Sequence, residues 1–359
     1  MNRTVVQGLG LVVVAAAIVV VAVLAGRQKG EKPSATQTPS AAPTPPGSEM
    51  RFALVPKSVG HPYWEGVREG MEAAAQEAGV KAIFHGPSAA NIDEQIRIIE
   101  DFITQGYDGI GISPNDPNTV KEVIKRAMDK GIAVVTFDSD SPDSDRLLYI
   151  GTDNREAGRV GGREMARLLG AKPKAEASGE LLVQIIGGMQ GAWNLNERIA
   201  GFKEAVEGSS IRLCDVLFNE ENPDTSLRVA EDAITTHSGL RGFFCSNAFG
   251  GPGVARAIKG ALQRGKAKQG QIRVVAFDTT EDILNYIEEG IIGCTLAQET
   301  RKMGGLSVER LVEFARQHKQ QGKFERPPKG KDVIDTGVKA VRPEDVKDYR
   351  TKPAAGKGK

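Results

Sequence analysis

From Arg51 onward the chain alternates short apolar runs with longer segments in which apolar residues recur every three or four positions. The first run covers residues 52–55, and the segment after it aligns four apolar side chains on one helical face: Trp64, Val67, Met71 and Ala74. Equivalent units follow at residues 82–106 and 109–131, and a fourth apolar run covers residues 132–137. Strands separated by helices of this length form parallel sheets with right-handed crossovers. The pattern predicts a first α/β lobe.

The same rhythm restarts after residue 153. Strands are predicted at residues 181–186, 212–217, 242–245, 273–277 and 292–297, with helices at 196–206, 227–236, 254–264 and 282–289. A helix at 302–318 and a late strand around 332–338 are expected to return to the first lobe and then to the second. The predicted fold is α/β, with two Rossmann-like parallel-sheet lobes joined by a multi-crossing hinge. Lobe one is assigned to residues 50–152 and 299–328, lobe two to 153–298 and 329–345, and a disordered tail to 346–359.

Two apolar runs in different lobes end alike, as VVTFDS at residues 134–139 and as VVAFDT at residues 274–279. In open parallel sheets, the side chains that bind ligands lie just beyond the carboxyl ends of strands. Asp138 and Asp278 are therefore predicted to face one cleft from opposite lobes. An Asx turn or a helix cap at each strand end explains the same residues, and this alternative stays open.

Composition narrows the class of protein. The chain has 359 residues, of which 40% are hydrophobic and 26% charged, and its net charge is +1. These values suit a two-domain globular protein and give no basic stripe for a nucleic-acid partner. Cys214, Cys245 and Cys294 are odd in number and lack CxxC spacing, which predicts free, mostly buried thiols.

The first part of the chain has a different character. Residues 8–25 are uncharged and mostly aliphatic, and about 27 Å of helix at this length crosses a bilayer core. Residues 1–27 are thus predicted to be a signal peptide or membrane anchor, and residues 28–49 a Pro-rich linker. Arg27 stands where a lipoprotein box needs cysteine, which excludes lipidation there. Both cleavage and retention remain open, and either one exports the folded part.

No residue pattern indicates catalysis, a metal or a cofactor. The four histidines are scattered, and the glycines at 187–188 and 250–253 lack the form of a phosphate loop and are interpreted as tight turns. The polar residues at strand ends suit a neutral polyol, which offers hydroxyls and an apolar C–H face. His61, Tyr63 and Trp64 lie in the loop after the first strand, where aromatic rings could hold a sugar or, alternatively, staple the next helix to the core.

The order of these motifs resembles the type I periplasmic sugar-binding proteins of the ribose-binding family, over roughly residues 50–345. In that family an aromatic loop, an aspartate after the fourth strand, an arginine in an E-R-x-x-G-F helix start, an asparagine, a second strand-end aspartate and a hinge glutamine contact the sugar. The resemblance places these roles on His61, Tyr63, Trp64, Asp138, Arg198, Asn247, Asp278 and Gln298. A surface ion pair for Arg198 and a solvated strand end for Gln298 are the plain alternatives.

The chain departs from the ribose binders in ways that bear on the ligand. His61 stands where asparagine is usual, and Ser139 and Asp140 follow Asp138 where those proteins have arginine. Lys57 together with residues 137–140 is similar to the rhamnose- and autoinducer-2-binding branch. Lys57, Ser139 and Asp140 are therefore weaker candidates for ligand contact, and Lys57 and Asp140 could instead be solvated charges at the rim.

The resemblance implies an extracytoplasmic, monomeric solute-binding protein that closes two lobes on a monosaccharide-like ligand. Its expected partner is the permease of an ABC importer, and its N-terminal segment would contact the membrane. Two other functions stay open at this point: a sensing domain that acts through a separate receptor, and a glycosidase that uses Asp138 and Asp278 as acid and base.

Overall fold

The computed structural model describes residues 49–328 and 330–351. The expected signal or anchor at 1–27, nearly all of the linker at 28–49 and the end of the tail lie outside the described residues. None of the helices within the described ranges combines the length and the apolar character needed to cross a bilayer.

Lobe one contains a parallel sheet whose strand order is β12-β5-β4-β3-β1-β2. Neighbouring strands pair in parallel throughout, so each connection between them is a crossover. The strands of this sheet are β1 (Arg51–Val55), β2 (Lys81–Phe84), β3 (Gly109–Ile112), β4 (Ala133–Phe137), β5 (Leu148–Gly151) and β12 (Val333–Asp335).

Lobe two repeats this arrangement with the order β13-β11-β10-β9-β6-β7, and a short strand, β8, also pairs with β6. Only β13 runs antiparallel, against β11, among the described pairings. The strands are β6 (Leu181–Gly187), β7 (Ile211–Leu213), β8 (Leu217–Phe218), β9 (Leu240–Cys245), β10 (Arg273–Phe277), β11 (Cys294–Gln298) and β13 (Val338–Val341). In each lobe the strand order changes direction once, between β1 and β3 in lobe one and between β6 and β9 in lobe two. Ligand crevices form at such switch points.

Helices cover both faces of each sheet. Lobe one has α1 (Tyr63–Ala78), α2 (Ile92–Thr104), α3 (Lys121–Asp129) and α9 (Thr300–Gln321). Lobe two has α4 (Asn154–Leu169), α5 (Trp193–Val206), α6 (Pro223–Thr236), α7 (Gly250–Gln263), α8 (Glu281–Glu288) and α10 (Val346–Thr351). Buried aliphatic and aromatic side chains fill the space between each sheet and its helices, giving one cluster on each face. The predicted α/β class and the apolar face of α1 are confirmed.

Three segments connect the lobes, after β5, after β11 and between β12 and β13. The prediction that residues 329–345 belong to lobe two is wrong for β12, because this strand pairs with β5 of lobe one. The predicted single late strand is therefore two strands with a crossing between them. The predicted tail is also wrong at its start: Val346 is buried in the core of lobe two, and Arg350 forms an ion pair with Glu281.

Other differences arise where a local signal was ambiguous. In the unit predicted at residues 109–131, Asp116 accepts bonds from the N–H groups of Asn118 and Thr119 in a turn, and the helix, α3, begins only at Lys121. The glycines at 250–253 open α7 and do not form a turn. The single strand predicted at 212–217 is divided into β7 and β8. All three cysteines are free, as predicted, although Cys214 is only partly buried.

Two helix pairs pack so closely that a glycine is required at the contact. A Cβ atom on Gly304 of α9 would lie 1.9 Å from the carbonyl oxygen of Val67 in α1. In lobe two, a Cβ atom on Gly158 of α4 would lie 2.1 Å from the carbonyl oxygen of Arg198 in α5. These contacts bring α1 and α5, the helices that carry Tyr63 and Arg198, close to their neighbours.

We expect Gly304→Ala to lower the free energy of unfolding by about 2 kcal/mol, because overpacking outweighs the gain of about 1 kcal/mol in helix propensity. Urea unfolding followed by circular dichroism measures this change. Gly305→Ala in the same helix is the matched control, since a Cβ atom there would lie 3.6 Å from its nearest neighbour, which is an ordinary contact. A Gly304→Ala variant as stable as the wild type would contradict the close packing of α1 and α9.

Candidate ligand-binding site

A cavity lies between the lobes at the carboxyl ends of both sheets. Its empty volume, including the open mouth, is about 430 Å³. Lobe one lines it with Lys57, Ser58, His61, Tyr63, Trp64 and Asp138. Lobe two lines it with Asn194, Leu195, Arg198, Glu221, Asn247, Ala248, Phe249, Asp278 and Gln298.

The cavity brings together the eight main candidates from the sequence and Lys57. It does not include Ser139 or Asp140. Asp140 is 2% exposed and forms a two-bond ion pair with Arg146, whose guanidinium also binds Asp332 beside β12. The proposed ligand contact and the alternative of a solvated rim charge are therefore both wrong for Asp140. Ser139 is buried away from the cavity, and its hydroxyl has no partner among the described residues.

The two strand-end aspartates have equivalent backbones. Asp138 has φ 60° and Asp278 has φ 69°, in the left-handed region that aspartate tolerates better than most residues. A hydroxyl from the adjacent strand binds the carbonyl oxygen of each: Tyr149 donates to Asp138 at 3.0 Å, and Thr295 donates to Asp278 at 2.7 Å. Neither carboxylate caps a helix or closes an Asx turn in the described structure; both turn toward the cleft instead.

In lobe one, the Asp138 carboxylate is held by two hydroxyl groups. Tyr63 donates to Oδ1 at 2.6 Å, and Ser113 donates to Oδ2 at 2.8 Å. Burial, and then the charge of Asp138, raises the pKa of the Tyr63 hydroxyl well above its usual value, so this group stays a donor. Trp64 packs edge-on against Phe137 in the core, and part of its ring faces the cavity. It therefore both attaches α1 to the core and lines the cleft.

In lobe two, Arg198 is 2% exposed, which rules out the alternative of a surface ion pair. Its guanidinium lies 4.0 Å above the Phe277 ring. Three of its N–H groups bind oxygen atoms of Asn154, Ser246 and Gln298, at 2.8, 2.9 and 2.9 Å. A guanidinium has five N–H donors, so two remain, one on each terminal nitrogen, for a ligand.

Two amides complete this wall. Gln298 accepts bonds from Arg198 and Thr152 and donates to Asp278 at 2.8 Å, so it is not the solvated strand end that the alternative required. Asn247 exchanges two side-chain bonds with Asn219 and contacts Glu221 at 3.4 Å.

Two contacts cross the cleft between the lobes. Lys57 of lobe one donates to Oδ1 of Asn194 of lobe two at 2.8 Å, and the rings of His61 and Phe249 lie 4.3 Å apart. Lys57 is 7% exposed, so it is not a solvated rim charge. Burial lowers the pKa of Lys57, against the opposing effect of the Asp138 and Glu221 carboxylates, and burial lowers the pKa of His61 to about 4. His61 is therefore neutral at pH 7.

Sequence reasoning missed Ser58, Asn194, Leu195, Glu221, Ala248 and Phe249. Asn194 had a usable signal, because it lies one helical turn before Arg198 on the same face of α5. Glu221 had none: its loop follows β8, which the sequence pattern merged with β7. Phe249 reaches the cavity only because α7 begins at Gly250 and turns the preceding residues into the cleft.

The cavity carries charges of both signs, two positive and three negative. Lys57 and Arg198 bring positive charge, and Asp138, Glu221 and Asp278 bring negative charge. Burial raises the pKa of Asp278 to about 6, although Arg198 and the bond from Gln298 oppose this rise. Among the described residues, no cluster of His, Cys, Asp and Glu side chains is arranged to hold a metal ion. The arrangement offers donors, acceptors and aromatic surface to a small polar molecule.

The raised pKa of Asp278 predicts a change of stability with pH. The folded-state pKa of about 6 lies above the ordinary 3.8, so this group stabilises the fold fully below about pH 4, and the effect is lost as the pH rises through about 6. Asp278→Asn lacks this titration. Relative to the wild type, the ligand-free variant should gain about 2–3 kcal/mol of unfolding free energy between about pH 4 and pH 7.5, measured by urea unfolding. The same difference at both pH values would contradict the assignment.

Comparison with known proteins identifies the family. The family described as "Periplasmic binding protein domain" matches residues 52–320. The D-ribose/D-allose-binding protein of Pseudomonas aeruginosa is 26% identical over 290 residues, which cover 77% of this chain and 87% of that protein. An ABC transporter solute-binding protein from Burkholderia graminis, solved in complex with D-arabinose, is 34% identical with a TM-score of 0.74, over 86% of this chain and 99% of that one. The chain therefore belongs to the periplasmic binding protein family, in its type I sugar-binding branch.

Proposed function

We propose that this protein captures a neutral monosaccharide between its lobes and delivers it to an ABC importer. The observation that carries the proposal is the pairing, in one small cavity, of two strand-end carboxylates from opposite lobes with a buried arginine that keeps two N–H groups unused. Carboxylate oxygens accept from sugar hydroxyls, and the guanidinium donates to them.

The existing partners of the charged groups support a neutral ligand. Lys57 already donates to Asn194, the Asp138 carboxylate accepts from two hydroxyls, and Asp278 accepts from Gln298. A ligand with a full charge would itself have to be desolvated, which is costly without a partner of opposite charge. Trp64 and Phe249 supply ring surface for the C–H face of a sugar. The related proteins named above bind ribose, allose and arabinose, which are neutral sugars of this size.

Closure follows from the placement of these groups on both lobes. A ligand shifts the equilibrium between open and closed forms only by its difference in affinity for the two. A sugar that contacts Asp138 and Arg198 together gains its full set of bonds in the closed form alone. The three crossing segments are short, as expected for a hinge.

We propose that binding occurs without turnover. A glycosidase needs one carboxyl as a proton donor and a second as base or nucleophile. Asp138 accepts bonds at both of its oxygen atoms, from Tyr63 and Ser113, so both atoms are already engaged as hydrogen-bond acceptors. Incubation with aryl glycosides should release no phenol, and steady turnover that is lost in Asp138→Asn would overturn this part of the proposal.

The family acts outside the cytoplasm, and we propose that residues 8–25 hold this monomer at the membrane. The mostly aliphatic segment and the Pro-rich linker after it support the anchor. Alkaline extraction of membranes separates an inserted protein from a released one. N-terminal sequencing of the mature protein identifies cleavage, which would exclude the anchor.

Calorimetry with D-ribose, D-allose, D-arabinose, D-xylose, D-glucose and D-galactose tests the function directly. The wild type should bind at least one of them. Arg198→Ala and Asp278→Ala should each weaken that binding by about 2 kcal/mol or more, because each leaves buried partners unpaired. Arg155→Ala is the control, as Arg155 is a half-exposed arginine in surface ion pairs of α4. Wild-type affinity in both site variants would remove the site assignment.

A further inference from the structure

A buried hydrogen-bond network lies beneath the cavity and crosses between the lobes at the first connecting segment. Asn154, the first residue of α4, follows this segment directly. Its Nδ2 group donates to the Tyr149 hydroxyl of lobe one at 3.0 Å, and its Oδ1 atom accepts from Nε of Arg198 in lobe two at 2.8 Å. Neither Asn154 nor Tyr149 lines the cavity, and both are buried.

The second connecting segment holds the same guanidinium. Gln298, at the end of β11, accepts at Oε1 from Arg198 and from the Thr152 hydroxyl, each at 2.9 Å. Thr152 lies in the first connecting segment and does not line the cavity. Arg198 is thus oriented by amide oxygens at two of the three crossings.

The chemistry of these bonds fixes which way each amide faces. An arginine has only donors, so Asn154 and Gln298 must both turn an oxygen toward it. The NH2 group of Asn154 then faces Tyr149, whose hydroxyl binds the carbonyl oxygens of Asp138 and Thr152. A single side chain therefore joins an acceptor in lobe one to the cation in lobe two.

We propose that Asn154 is a positioning residue that makes the orientation of Arg198 depend on the contact between the lobes. This inference rests on the proposed sugar-binding function. When the lobes separate about the connecting segments, Asn154 keeps its bond to either Tyr149 or Arg198 but loses the other. In the closed form both bonds fix the Asn154 amide that orients the guanidinium, and opening removes one of them, which couples release of the sugar to opening.

Three variants distinguish the two hydrogen bonds of the Asn154 side chain, one to Tyr149 and one to Arg198. Asn154→Leu removes both bonds, Asn154→Asp keeps the acceptor for Arg198 but removes the donor to Tyr149, and Tyr149→Phe removes the hydroxyl alone. The probe is whichever monosaccharide of the panel the wild type binds. Calorimetry gives Kd, and stopped-flow fluorescence of Trp64 and Trp193 gives the dissociation rate. Asn285→Asp is a matched control, because Asn285 also accepts from an arginine, Arg350, but at an exposed surface.

We expect Asn154→Leu to weaken sugar affinity about tenfold or more, as for the loss of a bond to a charged group. Tyr149→Phe should weaken it about fivefold, mainly through faster dissociation, as for a neutral bond. In the Asn154→Leu background, Tyr149→Phe should have no further effect on affinity, since Asn154 is the proposed link between Tyr149 and Arg198. Additive effects, or wild-type binding in both single variants, would overturn the proposal.

A measurement without sugar keeps this inference distinct from the proposed function. Solvent exchange of the Arg198 Nε–H proton, followed by NMR and assigned with Arg198→Lys, should be slow in the wild type and in Asn154→Asp and faster in Asn154→Leu. Equal exchange rates in the wild type and Asn154→Leu would overturn the role of Asn154 even if sugar binds. Failure of every sugar to bind the wild type, with the exchange pattern as expected, would instead remove the proposed function.

Discussion

The cleft depends on one requirement, which is that the buried guanidinium of Arg198 must have partners. A buried charge is costly unless hydrogen bonds and nearby groups compensate it. No carboxylate within the described ranges pairs with it directly. Three neutral oxygen atoms and the Phe277 ring contact the guanidinium. Asp278 reaches it only through Gln298. Because these partners come from α4, β9, β10 and β11, the requirement joins separate elements of lobe two at the hinge. It also leaves two donors free, and these define what the cavity can bind.

The second determinant is the repetition of one strand order in both lobes. The switch points put the ends of β1, β3 and β4 opposite those of β6, β9 and β10, so equivalent positions face each other across the cleft. Asp138 and Asp278 keep the same left-handed backbone and the same type of hydroxyl contact to their carbonyls. Their carboxylates differ in partners, since Tyr63 and Ser113 hold one and Gln298 the other. The two lobes thus share a backbone arrangement but present different side chains to the cleft, which suits a ligand without symmetry.

The features that the sequence could predict are those set by local pattern. Alternating apolar runs give the strands and helices, and a polar residue after such a run gives Asp138 and Asp278. Contacts between distant segments escaped this reasoning. The sequence suggested that Asp140 could contact the ligand, whereas it is paired with Arg146. Arg146 is itself held by Asp332, which lies 186 residues away in the sequence, so no local pattern reveals this pairing. Likewise, β12 was placed in the wrong lobe because three residues carry too little pattern to choose a sheet, and only the pairing with β5 decides it.

The two contacts that cross the cleft bear on how a ligand can control closure. Lys57 loses its hydration in the closed form, and the oxygen that it binds, Oδ1 of Asn194, is neutral. Burial lowers its pKa despite the carboxylates of Asp138 and Glu221, which indicates that this bond alone does not repay the loss of water. The ring contact of His61 with Phe249 adds a modest attraction, of about 1 kcal/mol. Desolvation of Lys57 thus opposes closure, and the ring contact favours it. The hydroxyls of a bound sugar, which meet both walls at once, then decide which form is populated.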